Sequence, residues 1–185
     1  FGNAQKAIQL LSSCLEIDPN SSAAMFELAN IHAVNNDFTS ASLLLEKAIS
    51  LNPDNKWYKL LLAQIYQQTN KFSEAADIYS GLLNKEPENL EYIYMKAALL
   101  ASAQRYDEAI SAYNQMEKET GINEQISVAK QQIFVQSGEV DKAFEEINRL
   151  IENSVRKCPS DTKGLEQWCR ENFEYFLKNN FIDIT

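Results

Sequence analysis

The sequence contains one histidine, three cysteines, four prolines and five glycines in 185 residues, and each scarcity removes a class of explanation. With His32 alone, there is no His/Cys cluster at metal-ligand spacing and no nucleophile that pairs with a histidine base. Cys14, Cys158 and Cys169 form no C-x-x-C pair, and an odd number argues against a disulfide framework. The glycines build neither a phosphate-cradling loop nor a nucleophile elbow. No apolar run approaches the roughly 18 residues of a membrane span. Basic residues number 17 against 26 acidic ones, a formal charge of −9, and no Lys/Arg cluster stands out. Phosphate backbones need such a cluster, so nucleic acid is not an expected partner. The chain opens at Phe1 with neither an initiator Met nor a signal-peptide pattern, as expected of a piece of a longer protein.

What is present is a composition 45% hydrophobic and 23% charged, suited to a folded core, and a period. Pro19, Pro53 and Pro87 recur every 34 residues. With Pro53 set as position 32, residues 22–55, 56–89 and 90–123 are successive units, and 1–21 is the tail of an earlier one. Position 20 then reads Ala7, Ala41, Ala75, Ala109 and Ala143. Five alanines in phase imply that two helices cross so closely that only a methyl fits. Position 15 reads Gly2, Asn36, Asn70, Gln104 and Gly138, four of them residues that tolerate the left-handed conformation ending a helix. Position 17 carries Phe38, Phe72 and Tyr106, and position 24 carries Leu11, Leu45, Tyr79, Tyr113 and Ile147, large groups that fill space beside the small Ala. First helices carry Leu28, Ala29 and His32, then Leu62, Ala63 and Tyr66, an i, i+1, i+4 stripe. The proline closes each unit because it cannot continue a helix. Each unit is therefore helix, tight turn, helix.

This pattern resembles the tetratricopeptide repeat (TPR) over residues 1 to about 157. It departs at position 4, often Trp in that family, which holds Met25, Lys59, Ile93 and Ser127, and at Gly121 where a proline is expected. The resemblance implies an all-α, right-handed superhelical solenoid, read here as a single domain over 1–185. A fourth repeat spans 124–161 with a four-residue insertion, since Pro159 stands where the period predicts 155. Leu165, Trp168, Cys169, Phe173, Phe176 and Leu177 then continue an apolar stripe, read as a terminal helix over 162–180 with Ser160 or Asp161 as N-cap. At the other end, residues 4–17 form a second helix without its partner, so Ile8, Leu11 and Leu15 are expected to lack part of their cover, and this edge is a candidate for self-association.

No catalytic or cofactor site emerges. His32 stands where the family has a core Tyr, and Glu145 with Glu146, or Asp107 with Glu108, read as solvated faces of second helices. The resemblance instead implies protein binding, because positions 2, 5, 9, 12 and 13 of TPR first helices face the concave groove. Those positions hold one charge, Glu91, in twenty residues. Candidate groove residues are Phe26, Asn30, Trp57, Leu60, Gln64, Gln68, Tyr94, Val128 and Gln132. Carboxamides donate to a peptide C=O and accept from its N–H, while aromatic groups supply anchors. Phe26, Leu60 and Val128 equally suit helix packing; Trp57 and Tyr94 carry polar ends suited to a wet interface. The two-carboxylate clamp by which some TPR proteins grip heat-shock-protein tails is not reproduced: Asn30 matches, but Phe26, Leu61, Glu91 and Met95 stand where Lys, Asn, Lys and Arg are needed. Runs such as PDNKWYKLLLAQIYQQ and EQISVAKQQIFVQSGEVDKAFEEI are similar to those of long bacterial cell-envelope TPR proteins, which favours envelope or periplasm over cytoplasm and leaves open a Cys158–Cys169 disulfide. The expected function is a non-catalytic scaffold for a peptide or protein segment. A structural spacer or self-association module, with catalysis elsewhere in a longer chain, is the alternative.

Overall fold

Every first helix begins one residue after a side chain able to cap it. In the computed structural model, which describes residues 2–156, Ser21, Asn55, Asn89 and Asn123 each accept a hydrogen bond from a backbone N–H of the first turn, those of Ala24, Trp57, Tyr92 and Ile126. These contacts satisfy donors that a helix start leaves orphaned. The helices they open are α2 (Ser22–Val34), α4 (Lys56–Gln68), α6 (Leu90–Ser102) and α8 (Glu124–Gln136).

All four end in the same way. Asn36, Asn70, Gln104 and Gly138 take φ of 61°, 58°, 60° and 82°, the left-handed conformation expected at position 15. The next N–H, from Asp37, Lys71, Arg105 or Glu139, donates back to the C=O of His32, Tyr66, Leu100 or Phe134 at 2.7–2.9 Å. This closure satisfies the last carbonyls and turns the chain at once into the second helix. Second helices are α1 (Gly2–Ile17), α3 (Phe38–Leu51), α5 (Phe72–Leu83), α7 (Tyr106–Thr120) and α9 (Val140–Arg156). Pro19, Pro53 and Pro87 occupy the turns that follow α1, α3 and α5. After α7 that task falls to Gly121, with φ +76° and its N–H on Glu117 C=O at 2.8 Å.

The chain divides into two compact units, Phe1–Ala112 and Tyr113–Thr185, with the division inside α7. In the first, α2 packs on α3 and α4 on α5, and the successive pairs α1 with α2, α3 with α4 and α5 with α6 carry the stacking onward. Met25, Ala29, Ala41, Leu45, Ala48, Tyr58, Leu62 and Ile65 form one buried cluster. Ala41, Ala75 and Ala109 are 0% exposed, as a close helix crossing requires. In the second unit α8 packs on α9, with Ala143 buried.

One expectation is met in part and extended here, and one changes. On α1, Ile8, Leu11 and Leu15 are half-buried and Leu15 packs against the core cluster; the uncovered apolar groups are Leu10 and Ile17, at 69% and 86% exposure. They lie, with the exposed Cys14, on an i, i+4, i+7 stripe turned away from α2. Glu146, read as solvated, is buried on α9, whereas Glu145, Asp107 and Glu108 are exposed. The insertion near Pro159, the helix over 162–180, Leu165, Trp168, Phe173 and the Cys158–Cys169 pairing lie outside the described residues.

Candidate functional site

First helices begin at a fixed cap and end at a fixed closure, so the same register positions of α2, α4 and α6 point the same way. In the first unit, the side chains nominated from the sequence divide by exposure. Asn30, Trp57, Gln64 and Gln68 are exposed, while Phe26, Leu60 and Tyr94 are half-buried. Phe26 lies against Tyr58, ring centroids 5.0 Å apart and tilted by 30°, and it packs against the core cluster. It is a core-edge residue with one face left to solvent. Trp57 is 63% exposed, an uncommon state for the residue type that loses most by contact with water.

Trp57 has a neighbour that the sequence reading did not nominate. The Lys56 ammonium sits 5.9 Å from the Trp57 ring centroid, within cation–π range. It also pairs with Glu86 at 3.0 Å, and Glu86 accepts from Asn89. Hydrogen bonds from Asn89 and Lys56 hold the Glu86 carboxyl below its ordinary value, and the Glu86 contact raises Lys56. The charge beside Trp57 is thus internally balanced. Glu91 is exposed and is the one charged residue among the first-unit groove positions.

Position 11 of the first helices is polar twice. Tyr66 donates its hydroxyl to Glu46 at 2.9 Å, and burial together with that contact pushes its pKa up to about 12. His32, at the same position one repeat earlier, is half-buried with Nδ1 3.0 Å from Asp37. Asp37 also caps α3 through Ser40 N–H at 3.2 Å. His32 therefore has a structural role, as expected for it, and ties the turn to the following helix.

In the second unit Val128 is half-buried and Gln132 exposed on α8. Beneath them lies a feature that sequence reasoning missed. Ser127, Lys130, Gln131 and Glu146 are buried. The Lys130 ammonium lies 3.0 Å from Glu117 and 3.2 Å from Glu146; Arg149 reaches both carboxylates at 2.5 Å. Ser127 donates to Glu146 at 2.7 Å. Burial pushes the Glu146 carboxyl up, but hydrogen bonds from Arg149 and Ser127 and the nearby cations outweigh it and hold it below its ordinary value. The available signal was that Lys130 and Glu146 stand at register positions where the second repeat has Leu62 and Ile78.

Among the described residues, no group of three or more His, Cys, Asp or Glu side chains is placed to hold a metal ion, and no helix is long and apolar enough to cross a membrane. What the first-helix surface offers chemically is aromatic area beside amide donors and acceptors, with little net charge.

The family model described as the cytochrome c-type biogenesis protein H TPR domain matches residues 10–126. Among solved structures, a crystal structure of MamA superposes with a TM-score of 0.62 at 17% identity, covering 84% of this chain and 91% of that one. A MamA structure from Desulfovibrio magneticus RS-1 gives 0.62 at 12% identity, over 82% and 85% of the two chains. The MSR-1 form of MamA gives 0.62 at 22% identity, over 83% and 90%. These likenesses establish the all-α TPR fold expected from the sequence. Among curated protein sequences, none matches the chain.

Proposed function

Because the chain belongs to the family of the cytochrome c-type biogenesis protein H TPR domain, we propose that it is a non-catalytic scaffold that holds an extended protein segment on the first-helix surface of its repeats. The family and the MamA-like fold support a protein-interaction role in general. The observation that carries the finer reading is Trp57, 63% exposed on α4, with the exposed amides Gln64 and Gln68 on the same helix and Asn30 on α2. An aromatic anchor on a helix that also exposes groups able to satisfy backbone N–H and C=O suits an extended peptide recognised by its main chain and one or two apolar side chains. The repeats 22–55, 56–89, 90–123 and 124–161 keep their boundaries in this reading. A bacterial envelope location goes with it, supported by the family's link to cytochrome c biogenesis.

The test is calorimetric titration with synthetic peptides that share an apolar and aromatic core and differ in charge. Uncharged extended peptides should bind, and acidic ones of the same core more weakly at low salt, since the chain as a whole carries a charge of −9 while the groove positions hold one charge. Equal binding of both, or of neither, counts against the reading.

Self-association through α1 is the second reading, favoured by the exposed Leu10 and Ile17. Replacing both by Lys should leave the helix content intact and lower the mass seen by light scattering at high concentration; an unchanged mass would count against it.

A further inference from the structure

The two units differ in how they hold charge. Among the described residues of the first, each Lys or Arg ion pair leaves its carboxylate side chain at least 40% exposed: Glu86 with Lys56, Asp54 with Lys85, Asp77 and Glu108 with Arg105. Such pairs contribute little to stability. In the second unit, the Glu117 and Glu146 side chains are 9% and 6% exposed and the Lys130 side chain 5%. Among the described residues, the buried polar and charged ones, Ser127, Lys130, Gln131 and Glu146, all belong to this unit, and the Gln131 side-chain nitrogen has no hydrogen-bond partner. A buried network of this kind holds only while every charge is answered.

We propose that the fourth repeat is an acid-operated module: protonation of Glu146, whose carboxylate closes the buried network together with that of Glu117, opens α8 and α9 while α2 to α6 stay folded. Among the described residues, the groups facing these two carboxylates are Lys130 and Ser127 from α8 and Arg149 from α9; Glu117 itself comes from α7. At neutral pH two anions answer two cations. When Glu146 takes up a proton, Lys130 and Arg149 keep their charge, and the Lys130 ammonium, deep in the unit, is left to share the Glu117 carboxylate with Arg149. Hydrating that ammonium requires α8 to separate from α9. The Gln131 side-chain nitrogen, buried on α8 without a hydrogen-bond partner, adds a desolvation cost in the same unit.

The direction follows from linkage. Glu146 is held below its ordinary value of 4.5, so its contribution is complete above that value and is lost as pH falls through the lower folded-state value. Opening therefore belongs to the acid range below about pH 4.5.

Hydrogen exchange followed by mass spectrometry, with rates corrected for intrinsic pH dependence, reads this directly on the whole chain. On lowering the pH from about 7 to about 3, protection in α8 and α9 should fall at a higher pH than protection in α3, α4 and α5, as expected when a sub-globular unit opens on its own. Glu146→Gln mimics the protonated carboxyl. At pH about 7 it should cost α8 and α9 roughly tenfold or more in protection, leaving α3 to α5 unchanged, whereas Glu145→Gln on the exposed face should change neither. Loss of protection at one common pH in both units, or a Glu146→Gln chain with wild-type protection in α8 and α9, would overturn the proposal.

Discussion

Ser127 Oγ donates to Glu146 Oε1 at 2.7 Å, linking α8 to α9 through two side chains that are 0% and 6% exposed. At the same register the first full repeat has Met25 and Leu44, so a hydrogen bond replaces an apolar contact there. Because the acceptor is charged and both atoms are out of water, Ser127→Ala should cost about 1.5–3 kcal/mol. Ser127 is also one of the groups that hold the Glu146 carboxyl down. Its loss should move that carboxyl up toward its ordinary value, so that acid destabilisation begins at a higher pH. Denaturant midpoints measured across pH, with carbon-detected titration of Glu146, check both statements. An unchanged midpoint and an unchanged titration would mean that the hydrogen bond contributes nothing.

Ala75 on α5 is 0% exposed, and the recurring Ala at its register reflects a crossing with no room for a larger group. Ala75→Leu should therefore destabilise by about 1–3 kcal/mol through overpacking. The denaturant midpoint of this variant, beside a substitution at the exposed Ser111, is the comparison to make.

Two glycines should respond in opposite senses to the same change. Gly81 lies inside α5 with nothing within 4 Å of where a Cβ would be, so Gly81→Ala should stabilise by about 0.5–1 kcal/mol. Gly138 is equally uncrowded but has φ +82°, and Gly138→Ala should destabilise by about 1–2 kcal/mol. Thermal melts of the two variants distinguish backbone conformation from steric space as the cause.

The repeat architecture was legible because it is written in residue types that local physics constrains. A left-handed turn residue and a crossing Ala recur at a spacing of 34, and the structure puts Asn36, Asn70 and Gln104 at positive φ and Ala41, Ala75 and Ala109 at 0% exposure. The caps Ser21, Asn55, Asn89 and Asn123 recur at that spacing too and were available to the same argument. The polar core of the second unit was not legible in this way. Glu146 sits beside Glu145 on a helix rich in charge, and nothing local separates the buried carboxylate from the exposed one. Arg149 is a local partner one turn along α9, but the burial also depends on Lys130 arriving from α8 with Glu117 from α7, a tertiary coincidence. His32 is a similar case, since its partner Asp37 serves first as the cap of α3. On the first-helix surface, the sequence placed Trp57 and the amides at solvent but not the Lys56 cation beside the indole, because a position-by-position reading treats neighbours as facing elsewhere.

The central claim, a partner held on the first-helix surface, rests on Trp57. The most direct measurement is titration of a co-purified partner against the wild-type chain, Trp57→Ala and Glu145→Ala, at low and high salt. Trp57→Ala should weaken binding by about 2 kcal/mol or more, as the loss of an aromatic anchor does, with little change in fold stability. Glu145→Ala should bind as wild type does. Added salt should matter little, since Glu91 is the one charged residue among the groove positions. Binding that survives Trp57→Ala and is lost with Glu145→Ala or with salt would contradict the account and place the partner on the acidic second-helix face.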